Sequence, residues 1–204
     1  MLVNVYGAKC IGIDAVKVTV ETGVAPGIGI HLVGLADVAV KESLLRVTTA
    51  LESIGYRIPG RKIIINLAPA DVRKNGSGYD LPIAVGIIAA SEQESLPLLG
   101  DFMLMGELGL DASVRPFAGA LPFAELARQE GMRGCIFPAG SALEAAEVGG
   151  ISVYGVSTLR DVVSILSGRD DASAFLAGVS SAASPHVPDA SVDFQDIVGQ
   201  ESAK

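Results

Sequence analysis

Tryptophan is absent from this 204-residue chain, and cysteine and histidine each occur only twice. Cys10 and Cys135 lie far apart, which excludes the disulfide framework of a small secreted domain and favours a reducing compartment. His31 falls in an expected strand and His186 in the stretch 169–192, and no cluster of Asp, Glu, His or Cys has metal-ligand spacing, so no metal centre is expected. No apolar run reaches the roughly 18 residues that a membrane-spanning helix needs. The positive mean hydropathy of +0.47 therefore points to a large buried core, with no membrane partner. The opening MLVNVYGAKC has no basic stretch followed by an apolar one, so no secretion signal is expected and the cytoplasm is the default location. What is present is 50% hydrophobic residues and 24 glycines, with only 5% aromatics. Layers of Val, Ile, Leu and Ala in a helix-and-sheet domain suit that mix, and the length suits one core plus a tail.

The net charge of −8 argues against nucleic acid taken as a whole, but it is unevenly spread. Residues 41–74 hold seven bases, Lys41, Arg46, Arg57, Arg61, Lys62, Arg73 and Lys74, against three acids, Glu42, Glu52 and Asp71. That segment is +4 and the remainder −12. Positive charge of this kind attracts phosphates without reading bases. Solvated helix and loop faces account for the same residues equally well. Only Tyr56 is interleaved with them, which gives little support to base stacking.

Val16, Val18 and Val20 alternate with Lys17, Thr19 and Glu21, the pattern of a half-buried strand. With a turn over 23–29 and a returning strand at 30–33, residues 2–34 are expected to form an antiparallel meander. Asp37 is placed to cap a helix whose stripe is Val40, Leu44, Val47, Leu51 and Ile54, ended by Gly55. The run Ile63–Leu67 suits a strand covered on both faces. A polar loop over 71–78 leads to an apolar helix, 81–90, with Asp80 as its cap. Strands are expected at 103–108, 135–137 and 151–156, and helices at 120–130, 142–147 and 159–166, the last opened by a Thr158–Asp161 capping box. The class is α+β. Beyond Gly168 the small, polar, proline-containing stretch 169–192 reads as a flexible linker.

Three segments, GLADVAVKESLLRV (34–47), INLAPADVRKNGSGYDLPIA (65–84) and GELGLDASVRPFAGAL (106–121), resemble the amino-terminal region of the Mg-chelatase-like ATPases known as the YifB/ComM family. The closing DFQDIVGQ (193–200) is similar to the opening of an AAA+ module, with no GxxxxGK[ST] phosphate loop in the chain. The resemblance implies an inactive Lon-protease-like domain over 1–168, with a two-layer fold of the Lon C-terminal and ribosomal-protein type. It implies a linker over 169–192 and the start of an AAA+ module at 193–204, so the chain reads as the front of a longer protein. It further implies a homo-oligomeric ring acting in DNA branch migration, with ATP and Mg2+ held by the module that follows and no cofactor in this chain. The "Mg-chelatase" label is read as likeness between ATPase modules.

Matching Lon's serine loop to Asn75–Asp80 places the nucleophile position at Gly78. Matching its lysine segment through Val114, Pro116 and Gly119 places the lysine position at Leu121. Both halves of the dyad are then missing, and Ser77, one residue out of register, is a serine in a tight turn without a positioned base. A DNA-engaging accessory domain, with Lys41, Arg73 and Lys74 as the leading contacts, stands beside a protein-interaction scaffold as the alternative. A serine–lysine peptidase is disfavoured.

Overall fold

The computed structural model describes residues 1–168 and 172–178. Strands β1 (Leu2–Ile11) and β2 (Asp14–Ala25) pair as an antiparallel hairpin, turned at Gly12 with φ +65°. The meander expected next does not form. β3 (Ile30–Val33) runs parallel to β4 (Lys62–Ala68), and β4 lies antiparallel to β2, so β4 is inserted between β2 and β3. The reason is the helix between them. A crossover through α1 (Val38–Ser53) allows parallel pairing, and the more apolar β4 takes the interior place while the four-residue β3 takes the edge.

α1 starts as the sequence predicts, with Asp37 Oδ1 accepting from the Val40 N–H at 2.9 Å. α2 (Asp80–Ala90) is buried along its whole length, and burying each Leu or Ile side chain contributes roughly 1.5–3 kcal/mol. Its N-cap is Tyr79, not Asp80; Asp80 is a first-turn residue whose carboxylate is engaged elsewhere. At Gly86 a Cβ would come within 2.5 Å of Thr22 Oγ1, so glycine lets α2 lie close on β2.

The expected strand at 103–108 divides into β5 (Phe102–Leu104) and β6 (Glu107–Leu108). Gly106 breaks it, because its N–H donates to Gly78 and its carbonyl accepts from Leu81. Then follow β7 (Val114–Arg115), α3 (Ala120–Gln129), β8 (Gly134–Pro138), α4 (Ala139–Ala146), β9 (Ser152–Val156) and α5 (Leu159–Ser167), which opens with the Thr158–Asp161 capping box. The main sheet has the order β3-β4-β2-β1-β5-β8-β9, and β6 pairs with β7 alone. The described residues form an α+β domain.

Strand register decides what covers each face. Val3, Val5, Val20, Thr22, Ile63 and Ile65 share the face under α2, and Phe102, Ile136 and Tyr154 continue it towards α5. Cys10, Lys17, Phe137 and Gly155 share the opposite face, against α3 and α4. Helices thus cover both faces at the β9 end and one face at the β3 end. β4 is consequently covered on one face only, with Ile63, Ile65 and Leu67 buried and Ile64 and Asn66 part-exposed. Within the stretch expected to be a linker, residues 172–175 make a short 3-10 turn and Leu176 bridges to Tyr154 on β9. The rest of that stretch and the AAA+-like segment at 193–204 lie outside the described residues.

Candidate functional site

The loop before α2 is where the dyad comparison is decided. Gly78 offers no side chain, and a Cβ there would meet the Met105 methyl at 2.9 Å. The same thioether lies 2.9 Å from where a Cβ on Gly7 would be, so Met105 fills the space between the two glycines. Ser77 Oγ donates to Glu107 Oε2, and Arg115 Nη1 stands 3.4 Å from Glu107 Oε1. The hydroxyl is thus held by a carboxylate that is itself neutralised by a guanidinium, with no lysine or histidine beside it. Leu121 lies in the first turn of α3, 42% exposed, beside a cavity of about 340 Å³ lined by Ile13, Asp14, Pro122 and Leu126. Neither position carries a group able to attack or to accept a proton. Tyr79, next in the loop, donates its hydroxyl to the Ala8 carbonyl at 3.1 Å, and burial pushes its phenol pKa well up.

The basic segment separates into three environments. Arg46 grips Asp80 in a fork, Nε to Oδ2 at 2.7 Å and Nη2 to Oδ1 at 3.0 Å. The Leu108 N–H adds a third bond to Asp80 at 3.2 Å. Burial pulls the Asp80 pKa up and Arg46 pulls it down, with burial the larger effect, while the same bond raises Arg46. Stranding such a carboxylate by removing its partner costs about 3–5 kcal/mol. Arg46 is therefore a strut between α1, α2 and β6, a correction to its place among the DNA contacts. Lys74 requires the same correction. It is fully buried, with Nζ donating to the Pro69 carbonyl and burial lowering its pKa. Its peptide group also bonds Leu35 and Asp37, which pins the 71–76 loop to the start of α1.

The five remaining cations lie at two ends of α1, a helix about 24 Å long by its 16 residues. Lys41 and Arg73 are exposed at its N-terminal end, with the exposed acids Glu42 and Asp71 beside them in sequence. Arg57, Arg61 and Lys62 lie at the other end, where α1 hands over to β4; Arg57 and Arg61 are exposed, Lys62 half-buried. Within the segment only Glu52 offsets these three, while across the fold Tyr56 meets Glu94 and the Arg57 backbone meets the Gln93 side chain, so the turn after α2 brings its acids to this end as well. Sequence spacing alone placed more weight on the family-like segments.

In the loop before α2 the one lysine, Lys74, is buried with Nζ on the Pro69 carbonyl, and the helix N-terminus carries Asp80, already bonded three ways. Among the described residues no group of three or more His, Cys, Asp or Glu could hold a metal ion. No helix among them is long and apolar enough to cross a membrane. Cys10 and Cys135 are free thiols, and burial pushes Cys135 up to about 12.

The described residues thus form an α+β domain of mixed sheet and packed helices. The family described as subunit ChlI of Mg-chelatase matches residues 16–141, most of the domain, and the chain belongs to that family. The match lies in this domain, which corrects the reading that the label reflects ATPase modules only. Competence protein ComM of Haemophilus influenzae is 38% identical over the whole chain, and YifB of Salmonella typhimurium is likewise 38% identical over the whole chain. The chain spans 40% of the first and 39% of the second. Lon protease 2 of Bacillus subtilis is 27% identical over 60% of the chain, covering 22% of that protein.

Proposed function

We propose that this chain is the non-catalytic front domain of a Mg-chelatase-like AAA+ ATPase of the cytoplasm, and that it helps the ring assemble and engage DNA during branch migration. The observation that carries this reading is that Gly78 and Leu121, the residues matched on sequence to a Lon-type dyad, offer neither a nucleophile nor a base. Family membership, the 40% coverage of a relative named as a competence protein, and the AAA+-like stretch at 193–200 support it. ATP and Mg2+ then belong to the neighbouring module. The DNA-contacting residues are Arg57, Arg61 and Lys62 first, with Lys41 and Arg73 second because acids flank them in sequence.

Fluorescence anisotropy of single-stranded, duplex and four-way-junction DNA tests this. Affinity should fall steeply with salt, and replacing Arg57, Arg61 and Lys62 by Ala should reduce both the affinity and the salt slope. The slope should flatten by up to about one unit for each phosphate that is no longer neutralised. No binding to any of the three DNAs would remove DNA engagement from this domain. The scaffold reading, favoured by exposed apolar side chains around β3, would then stand. Casein cleavage abolished by Ser77→Ala would instead revive the peptidase.

A further inference from the structure

The two edges of the main sheet are treated differently. At the β9 edge, Leu176 bridges Tyr154 and the Ala177 N–H donates to the Val153 carbonyl at 2.8 Å, so chain from beyond α5 covers it. At the β3 edge no further strand pairs among the described residues. The Ile63 N–H donates to the Gly29 carbonyl at 2.9 Å, and in the parallel register this turns the His31 peptide groups towards β4. The N–H and C=O groups of Ile30 and Leu32 therefore point away from the sheet.

Large apolar side chains crowd the same edge. Ile28 is 81% exposed, Val33 51%, Leu35 50% and Val38 69%. A bare edge needs a guard, commonly lysine, proline, a bulge or shortness, and β3 has only shortness. The charges beside this patch are balanced, Lys41 and Arg73 with Glu42 and Asp71, all exposed. A patch with equal charges of both signs can face its own copy without net repulsion, which is what an isologous contact requires.

We infer that the β3 edge is a self-association surface through which two copies of this chain pair antiparallel about a two-fold axis near His31. A strand edge is completed by another strand edge, and the β9 edge of a second copy is already covered. In this pairing Ile30 of one copy opposes Leu32 of the other, and each pair exchanges both N–H···O bonds. The exposed apolar side chains of both copies are buried together. The inference goes beyond the DNA reading and does not depend on it. Because the strand is short, the pair dissociates on dilution.

Sedimentation velocity on the whole chain, from low micromolar to near-millimolar concentration, tests it. The expected result is a concentration-dependent shift from monomer to dimer. The double variants Val33→Lys/Val38→Lys and Val33→Glu/Val38→Glu should each stay monomeric with unchanged melting, because these side chains are exposed. An equimolar mixture of the two should recover pairing by opposite charge. Leu121→Lys, in the first turn of α3, should leave the dimer intact. Hydrogen exchange should slow at the Ile30 and Leu32 amides as concentration rises. A monomer at every concentration, or a dimer indifferent to both double variants, overturns the inference. The DNA titration is read separately, on the Arg57/Arg61/Lys62 variant, so either idea can fail alone.

Discussion

Two neighbouring residues of β8, Ile136 and Phe137, point to opposite faces of the sheet and both are fully buried. In β4 the equivalent neighbours differ: Ile65 is fully buried beneath α2, while Ile64 on the other face is part-exposed. The contrast separates a half of the sheet closed by helices on both sides from a half closed on one side only. The closed half holds stability in both directions out of the sheet. The open half holds it in one direction and leaves the other, with its edge, its exposed apolar side chains and its cations, available to partners.

Truncations on the two strands sharpen this comparison. Phe137→Ala should destabilise the fold by about 3–5 kcal/mol and Ile136→Ala by about 2–5, so neither face of β8 is tolerant. In β4, Ile65→Ala should cost about 2–5 kcal/mol and Ile64→Ala less than about 1.5. Chemical denaturation with a common m-value measures all four. Equal destabilisation at Ile64 and Ile65 would mean the open face is covered after all. The smallest effect is expected at Thr22, whose buried Oγ1 has no hydrogen-bond partner, under α2 near Gly86. Thr22→Val removes an unsatisfied hydroxyl at constant shape and should be neutral or stabilising by up to about 1 kcal/mol. A clear drop in stability would show that the hydroxyl is satisfied in solution.

Elements governed by neighbours in the chain were legible from sequence. The Asp37 cap, the stripe of α1, the capping box at Thr158 and the glycine that closes α1 depend on contacts within a few residues, and each is where spacing put it. Misreadings came where a distant partner decided. Ile63–Leu67 has the composition of a strand buried on both faces, yet no helix among the described residues reaches its second face. Asp80 precedes an apolar helix as a cap would, yet it turns to Arg46, 34 positions earlier. At the candidate site, the chemistry of Gly78 and Leu121 is legible from identity alone, since neither side chain can attack or accept a proton. The fate of the seven cations was not readable, because charge in a sequence carries no record of burial.

By itself, then, the sequence determined the family, the α+β class and most helices and strands. These follow from residue identity, local hydrogen bonding and the periods of helix and strand. Only the tertiary structure decided that β4 would part β2 from β3, that Lys74 and Arg46 would be taken out of the charged surface, and that one edge of the sheet would be covered and the other bare. Those outcomes depend on contacts between residues far apart in the chain, where desolvation of a charge or a peptide group weighs more than any local preference.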